Sequence, residues 1–378
     1  MAKKRKRKMK PFVKLMLISL LVMIIALLCL SIKDGLTKDG DLINSSDNSK
    51  EEKISLIMAG DALIHSSVYD DAYEDGKYNF DKMLSFIKPI VKEHDLAFYN
   101  QESILGGVKL GLSSYPAFNS PQEVGEAFTN AGFNLVSLAN NHTLDKGKKA
   151  IISSNNYWKT KKNVVTNGSA NSQNDRANIS INEVNDIKYT LLAYTMTTNG
   201  IKPDNNYYVN IYSEEQVKED IEKVRDKVDL LLVSIHWGEE YNTGVTKEQE
   251  KVATYLSNLG VDIIIGHHPH VVEPIDYIND TLVIYSLGNF LSGQEGLEKR
   301  IGLMVSLEIE KEQDGIKISE PTAILTYTYY SNKKVKTNFK IYPFDKLNNT
   351  LLPGYKRYYE DYMEIITSRS GKVIKSPI

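Results

Sequence analysis

The chain has 378 residues, of which 42% are hydrophobic and 25% are charged, and these ordinary globular proportions exclude a disordered or collagen-like protein. A single cysteine excludes a disulfide framework and a cysteine-based zinc site. Eight of the 46 lysine and arginine residues lie among the first 14 positions, which leaves 38 basic against 48 acidic residues, a net charge of −10, for the rest. Nucleic acid is therefore not expected as a partner, because a segment with this net negative charge does not neutralise the phosphates of a nucleic acid.

The first feature along the chain is an apolar run at residues 15–32 that carries no charge. A helix of 18 residues is about 27 Å long, close to the roughly 30 Å of a bilayer core. The run therefore predicts a transmembrane anchor, and the basic cluster before it places the N-terminus in the cytoplasm and the main domain outside. A cleaved signal peptide is the alternative, but its apolar core is usually about 7–15 residues long and an A-x-A-like site follows it.

The rest of the chain alternates short apolar runs, typical of buried strands, with helical patterns, and this predicts an α/β fold. Strands are predicted at 54–59, 96–99, 134–139, 229–235, 261–265 and 282–285, and helices at 80–94, 122–131, 145–159, 213–227, 246–259 and 355–366. Hairpins are predicted at 179–195 and 271–278, and antiparallel strands at 301–344. The predicted organisation is a basic segment at 1–14, the anchor at 15–32, a flexible polar linker at 33–52, a main domain at 53–345 and a C-terminal extension at 346–378.

Five clusters of polar residues directly follow predicted strands, at 60–65, 100–102, 140–142, 236–238 and 266–270, and contain six of the seven histidines. Because ligands bind at the carboxyl ends of strands in α/β sheets, we expect the clusters to meet. Imidazole, carboxylate and amide donors suit Mn, Zn or Fe rather than Ca or Mg alone. Each cluster alone also fits a turn, a cap or a hydrogen-bonded core imidazole. Together they predict a metal site.

These motifs resemble a known family. Gly60-Asp61, Asn100-x-Glu102, Ala139-Asn140-Asn141-His142, His236-Trp237-Gly238, Gly266-x-His268-Pro269-His270 and Ser286-Leu287-Gly288-Asn289-Phe290 are similar, in this order, to the CapA (PgsA) family of poly-γ-glutamate capsule biosynthesis proteins. That family is itself similar to the calcineurin-like metallophosphoesterases. The resemblance implies an α/β domain built as a four-layer α-β-β-α sandwich, preceded by one transmembrane helix.

The resemblance also implies a divalent metal cofactor, one or two ions of Mn, Zn or Fe. The implied ligands are Asp61, Glu102, Asn141, His236, His268 and His270. Glu102 would bridge two ions, and His142 would be the catalytic acid beside the leaving group. Residues expected beside the ligands are His65, Asn100, Asn140, His267 and Asn289. The D-x-H start of the metallophosphoesterases is absent because residue 63 is Leu, so one position is expected to be weaker, missing or differently filled.

The function implied is that of a membrane-anchored, extracytoplasmic protein in poly-γ-glutamate capsule biosynthesis or export, with a metal-dependent, hydrolase-like site. Expected partners are the poly-γ-glutamate or a related anionic envelope polymer, the membrane and other capsule synthesis subunits. Two alternatives stay open at this point: a non-catalytic membrane subunit that binds or guides the polymer beside a synthetase, and a general cell-surface metallophosphoesterase. The sequence alone does not decide whether the chain is an enzyme.

Overall fold

The computed structural model describes residues 52–332 and 335–378. The predicted basic segment, membrane anchor and nearly all of the predicted linker lie outside these residues. Within them, no helix has the length and apolar character needed to cross a membrane.

The helices and strands of the described chain are as follows. The strands are β1 (Lys53–Leu63), β2 (Tyr73–Glu74), β3 (Lys77–Tyr78), β4 (Leu96–Asn100), β5 (Leu135–Ser137), β6 (Val165–Asn167), β7 (Asn182–Val184), β8 (Ile187–Thr195), β9 (Leu230–His236), β10 (Ile263–His267), β11 (Ile275–Ile278), β12 (Thr281–Ile284), β13 (Asn289–Ser292), β14 (Ile301–Glu312), β15 (Gly315–Ile318), β16 (Thr322–Asn332), β17 (Lys336–Pro343) and β18 (Ile374–Lys375). The α-helices are α1 (Ser66–Ala72), α2 (Lys88–Val91), α3 (Glu123–Ala131), α4 (Gly147–Lys159), α5 (Gln173–Ala177), α6 (Glu214–Val224), α7 (Lys247–Asn258) and α8 (Tyr355–Thr367).

Two mixed sheets form the centre of the domain. The main path of the larger sheet runs β17-β16-β14-β1-β4-β5-β6, with β1, β4, β5 and β6 parallel and β14, β16 and β17 antiparallel. The smaller sheet runs β11-β12-β10-β9-β8-β7, with β8, β9, β10 and β12 parallel. A mixed, sheet-rich α/β fold is thus confirmed.

Side-chain alternation along the strands separates the apolar core into layers. Leu56 on β1 and Leu232 on β9 belong to one cluster that fills the space between the two sheets. Their neighbours point the other way, because successive side chains of a strand face opposite sides. Ile57 packs with α3 on the outer face of the larger sheet, and Val233 packs with α6 and α7 on the outer face of the smaller one.

Several predicted boundaries were wrong for identifiable physical reasons. β1 continues to Leu63 instead of ending at Ala59, because its last residues pair with β13 as well as with β4. The helix predicted at 80–94 is interrupted: a 3-10 turn at Asp81–Leu84 precedes α2, which has Pro89 in its first turn. Proline has no N–H to bond to the preceding turn, so it starts a new helix there.

The hairpin predicted at 271–278 lies later in the chain. It joins β11 to β12, and its turn contains Asn279 at φ 53°, a left-handed conformation that asparagine tolerates. By contrast, the predicted start of α6 is confirmed, since Ser213 Oγ accepts the backbone N–H of Gln216. Thr246 caps α7 in the same way.

The segment predicted as a C-terminal extension packs against the same core. Tyr359, Met363 and Ile366 of α8 belong to the cluster that fills the space between the sheets. β18 adds a short parallel strand beside β16. The residues after 345 are therefore part of the compact unit that begins at Glu52.

Candidate metal centre

The polar clusters meet at one edge of the two sheets. Asp61 lies near the end of β1, and Glu102 lies two residues beyond β4. His236 is the last residue of β9, and His268 directly follows β10. All four side chains are buried. This is the edge at which the carboxyl ends of parallel strands present their loops, as expected for a ligand site.

One group of donors surrounds the imidazole of His236. Its Nε2 lies 3.0 Å from Oδ1 of Asn141, 3.0 Å from Nδ1 of His268 and 3.6 Å from Oε1 of Glu102. Ligand atoms of Glu102, His236 and His268 all lie within 4.8 Å of one another, close enough to hold one cation. Imidazole with carbonyl and carboxylate oxygen suits a divalent transition metal.

A second group lies on the other side of Glu102. Nε2 of His270 lies 3.7 Å from Oε1 of Glu102, and its Nδ1 lies 3.6 Å from Oδ2 of Asp61. The other carboxylate oxygen of Asp61, Oδ1, accepts a hydrogen bond of 2.8 Å from Nδ2 of Asn100. The two groups share Glu102, the residue for which the resemblance implied a bridging role.

The carboxylates of this centre lack donors. Oδ2 of Asp61 and both carboxylate oxygens of Glu102 are buried, and none of them has a hydrogen-bond partner within residues 52–332 and 335–378. A buried carboxylate without compensation is destabilising by several kcal/mol. A divalent ion compensates such oxygens directly, so the residues present fit the metal that the sequence predicted.

The electrostatics of the two carboxylates differ. Burial and the nearby charge of Asp61 raise the pKa of Glu102 well above its usual range. Burial alone would also raise the pKa of Asp61, but the adjacent imidazoles of His267 and His270 hold it well below its usual range. Burial would lower the pKa of His270, whereas the charges of Glu102 and Asp61 raise it to about 9. The two carboxylates therefore favour the protonated form of His270, whereas burial favours the neutral form of Glu102.

The other two imidazoles remain neutral. Burial, together with the neighbouring His268, lowers the pKa of His236 well below its usual value. Burial lowers the pKa of His268 to about 4. A neutral imidazole is the form that binds a metal, so both side chains are ready to act as ligands near neutral pH.

The loop after β10 is held in a strained conformation. His268 has φ 102° and His270 has φ 60°, in the left-handed region that non-glycine residues rarely adopt. Such strain is common where a loop must aim side chains at a site. Here both imidazoles reach the carboxylates.

Close backbone contacts occur at the two glycines that lie next to residues of the centre. A Cβ atom on Gly60 would lie 1.9 Å from the carbonyl oxygen of Gly288, and one on Gly266 would lie 1.9 Å from the carbonyl oxygen of Tyr285. Only glycine fits at either position. The glycines next to Asp61 and before the histidine loop therefore set how closely the strands approach.

His142 does not lie among the ligand atoms but beside them, next to Asn141. Its Nδ1 lies 2.7 Å from Oδ2 of Asp145, and its ring packs edge-on against Phe118 at 4.7 Å between centroids. Asp145 was not among the residues predicted from the sequence. Its position three residues after His142, on the same turn of chain, is the signal that would have revealed it.

The residues predicted beside the ligands have distinct placements. Oδ1 of Asn289 lies 3.1 Å from Nδ1 of His270, and Nδ1 of His267 lies 3.0 Å from Oδ1 of Asp61. Asn140 supports its own loop, because its Oδ1 accepts the backbone N–H of His142.

His65 lies outside the two groups of donors. Its Nδ1 lies 3.0 Å from the carbonyl oxygen of Leu63, and its ring packs against Phe118. Burial lowers its pKa to about 4. It therefore does not take the place of the histidine missing at position 63.

Comparison with known proteins identifies the family of the chain. The family model described as bacterial capsule synthesis protein PGA_cap matches residues 55–294, a range that contains every residue of the centre. The chain belongs to this family. The family resemblance inferred from the motifs is thereby confirmed.

Relatives of the chain carry related names. The PGA biosynthesis protein CapA of Bacillus subtilis (strain 168) is 26% identical over 279 residues, which cover 70% of each chain. The capsule biosynthesis protein CapA of Bacillus anthracis is 28% identical over 255 residues, which cover 65% of this chain and 61% of that one. A hypothetical protein from Thermus thermophilus is similar in structure, with a TM-score of 0.46 and 16% identity over 71% of this chain and 98% of that one.

Proposed function

We propose that the chain is a membrane-anchored, extracytoplasmic CapA-like protein that acts in poly-γ-glutamate capsule biosynthesis or export through a metal-dependent, hydrolase-like site. In this proposal the domain is a four-layer α-β-β-α sandwich of the metallophosphoesterase type. The observation that carries it is the convergence of buried carboxylate oxygens without donors and imidazole nitrogens around Glu102. The names of the Bacillus relatives support the polymer as the target.

A divalent ion bound by these donors supplies a nucleophilic water at neutral pH and neutralises developing negative charge. The side chains of the protein orient the proton donor and deliver the proton. Oδ2 of Asp145 accepts a hydrogen bond from Nδ1–H of His142, and this leaves Nε2 to deliver a proton to the leaving oxygen or nitrogen. Phe118 packs on the same ring and fixes its plane. Phosphoryl and amide bonds both need such an acid, so the site supports cleavage or transfer of either.

A non-catalytic subunit is the second candidate. One observation favours it: Leu63 stands where the phosphoesterases carry a metal-ligating histidine, and His65 is not a replacement. In that case the centre would hold a metal for structure or polymer binding, beside a synthetase and other capsule subunits. A general cell-surface metallophosphoesterase would keep the catalytic centre but act on another substrate.

Metal analysis and turnover on the purified full-length chain separate these candidates. We expect bound Mn, Zn or Fe, hydrolysis of a γ-linked glutamate oligomer and loss of that activity in His142→Ala without loss of metal. Hydrolysis only of a simple phosphodiester would indicate the general phosphoesterase. Metal without turnover of either compound would indicate the subunit. A chain that binds no metal would contradict all the metal-dependent forms of the proposal.

The proposed location has its own test. Intact cells that express the full chain with a C-terminal epitope are treated with protease after removal of the wall. Cleavage of the epitope in intact protoplasts, with the chain in the membrane fraction, is expected. Protection from the protease or release into the medium would contradict a membrane-anchored, extracytoplasmic domain.

A further inference from the structure

A tyrosine and a lysine lie beside the donors of the centre and belong to neither group. We infer that Nζ of Lys299, held over the ring of Tyr241, binds a free carboxylate of the polymer close to the bond that the centre acts on. The inference rests on the proposed function, since it takes an anionic, γ-linked glutamate chain as the ligand. It adds a carboxylate-binding position and names the side chain that determines specificity there.

Tyr241 is fixed next to His270. Its backbone N–H donates a hydrogen bond of 2.7 Å to the carbonyl oxygen of Pro269, and its ring centroid lies 6.0 Å from that of His270. Its φ of 67° is in the left-handed region, and its hydroxyl accepts a hydrogen bond of 3.3 Å from Nε2 of Gln294. The side chain is nevertheless exposed. The ring is therefore held at the edge of the centre, where a ligand can reach it.

The segment that carries Lys299 is linked to the same imidazole through Asn289. Oδ1 of Asn289 lies 3.1 Å from Nδ1 of His270. Nδ2 of Asn289 donates hydrogen bonds of 2.8 Å to Oε1 of Gln294 and of 2.9 Å to the carbonyl oxygen of Lys299. One buried asparagine thus connects His270 to both Gln294 and Lys299, so the backbone of residue 299 has a defined position relative to the centre.

The ammonium group of Lys299 is positioned but weakly paired. Its Nζ lies 4.5 Å from the ring centroid of Tyr241, a favourable distance for a cation over an aromatic face. Within the described residues its ion-pair partner is the half-exposed Glu298, at 3.6 Å, and such a pair contributes little. Nζ of the nearby Lys336, by contrast, donates to a backbone carbonyl at 2.8 Å and lies 3.0 Å from Glu295. Lys299 is therefore the lysine that can exchange its partner for a carboxylate of the ligand.

The distance from Lys299 to the centre suits a γ-linked chain. Since Nζ is 4.5 Å from the Tyr241 ring and that ring is 6.0 Å from the His270 ring, Nζ lies within about 11 Å of His270. In a γ-linked chain every residue keeps a free α-carboxylate, because the amide is formed by the side-chain carboxyl group. An extended α-linked chain advances about 3.5 Å per residue, and a γ-linked residue advances further because its backbone has two more carbon atoms. A carboxylate within two residues of the bond at the centre can therefore reach Lys299.

The charge of the protein makes a local cation important for this ligand. Residues 15–378 carry a net charge of −10, which repels a polyanion at long range. A lysine at the edge of the centre offsets that repulsion for carboxylates that lie beside it. A neutral chain of the same length gains nothing from the lysine, so Lys299 favours an acidic ligand over an uncharged one.

Calorimetric titration of the Mn²⁺-loaded full-length chain tests this inference with two ligands, γ-linked hexaglutamate and the same hexamer with its α-carboxylates converted to amides. Every protein carries His142→Ala, so that the hexamer is not cleaved during the titration. Lys299→Met should weaken binding of the acidic hexamer about three- to tenfold and leave binding of the amide form unchanged. Lys299→Arg keeps the charge and should retain most of the affinity. Lys372→Met is the matched control, because Nζ of Lys372 lies 5.5 Å from the ring of Tyr277, and it should change neither ligand.

Substitutions of Tyr241 provide a second measurement. Tyr241→Leu removes the ring beneath Nζ and should weaken binding of the acidic hexamer only, whereas Tyr241→Phe keeps the ring and should retain binding. Bound Mn²⁺, measured in each variant, should equal that of the parent protein.

Three results would overturn the inference. They are unchanged binding of the acidic hexamer by Lys299→Met, equal weakening of both hexamers by that variant, and a loss in Lys372→Met as large as in Lys299→Met. The second would show a structural role for Lys299, and the third would show an effect of net charge alone. A Mn²⁺-loaded parent protein that binds neither hexamer would instead contradict the polymer as the target, and with it the proposed function.

Discussion

Nδ1 of His142 and Oδ2 of Asp145 lie 2.7 Å apart, and the same carboxylate oxygen accepts the backbone N–H of Phe118 at 2.7 Å. The pair joins the loop that follows β5 to the segment that precedes α3. Because the side chain of Asp145 is only 2% exposed and is engaged on both sides, it holds the imidazole in one orientation and one tautomer. This is the arrangement that a proton donor beside a metal centre requires.

Asp145→Asn tests that role. We expect kcat to fall about 10- to 100-fold on the substrate that the chain turns over, because general acid catalysis contributes about 10²–10⁴-fold and the amide lacks the charge that supports a protonated ring. Metal content should not change, since Asp145 is not a ligand. Asp280→Asn, in the exposed turn between β11 and β12, is the matched control. An unchanged kcat in Asp145→Asn would remove the pair from the mechanism.

Glu102→Gln should separate stability from metal binding. The variant should lose bound metal, because both groups of donors share this carboxylate. Its metal-free form should be about 1–3 kcal/mol more stable than the metal-free native chain, since a buried carboxylate without donors is removed. Denaturant unfolding with chelator and with Mn²⁺ measures both effects.

The exposed Glu320→Gln is the control for this substitution and should leave both unfolding curves unchanged. The native chain should gain stability when Mn²⁺ is added, and Glu102→Gln should not. A variant that is less stable than the native chain in chelator would show that Glu102 has a structural partner.

Glu273 makes the stability of the fold depend on pH. It is buried, its Oε2 accepts a hydrogen bond of 2.7 Å from Nε2 of Gln249, and burial raises its pKa from 4.5 to about 8. Since the folded state holds the proton more tightly, this group lowers the free energy of unfolding as pH rises from about 4.5 to about 8. The full effect above that range is at most about 5 kcal/mol.

Glu273→Gln removes this titration. The free energy of unfolding of the variant, relative to that of the native chain, should therefore increase from about pH 5 to about pH 9. Urea unfolding in the presence of chelator at each pH measures this difference. The metal ligands titrate equally in both proteins and cancel in the difference. A difference that stays constant over this range would show that Glu273 is ionised in the fold.

Gly60→Ala should damage both the fold and the centre. Its Cβ would meet the carbonyl oxygen of Gly288, so β1 and the segment before β13 must move apart. Overpacking of this kind is destabilising by about 1–3 kcal/mol or more, and Asp61 moves with its neighbour. Thermal unfolding and Mn²⁺ affinity should both fall. Gly371→Ala, which has open space around it, should change neither, and a tolerated Gly60→Ala would contradict the close contact.

Much of the site was predictable because its signals are local. An apolar run that ends in polar donors identifies a strand and its carboxyl end, and parallel strands bring such ends to one edge. On that basis the clusters at 60–65, 100–102, 140–142, 236–238 and 266–270 were expected to meet, and donors of Glu102, Asn141, His236 and His268 do lie close together. Capping residues such as Ser213 were predictable for the same reason, since a cap depends only on the next turn.

Other features depended on partners distant in the chain. β1 extends to Leu63 only because β13, more than 200 residues later, pairs with its end. His65 packs on Phe118, which also contacts the ring of His142. Neither the pairing with β13 nor the contact with Phe118 follows from residues near position 61.

The sequence by itself determined the chemistry of this protein: which donor types it carries, in which order, and at the ends of which strands. Hydrophobic periodicity and composition are local patterns of a few residues, so they can be recognised from the sequence alone. Only the tertiary structure decided that Asn100 donates a hydrogen bond to one oxygen of Asp61 while the other oxygen has no donor among the described residues, and that Asp145 holds His142. Those choices depend on the registry of strands within a sheet and on the packing of one sheet against another, and both are set by contacts between distant segments.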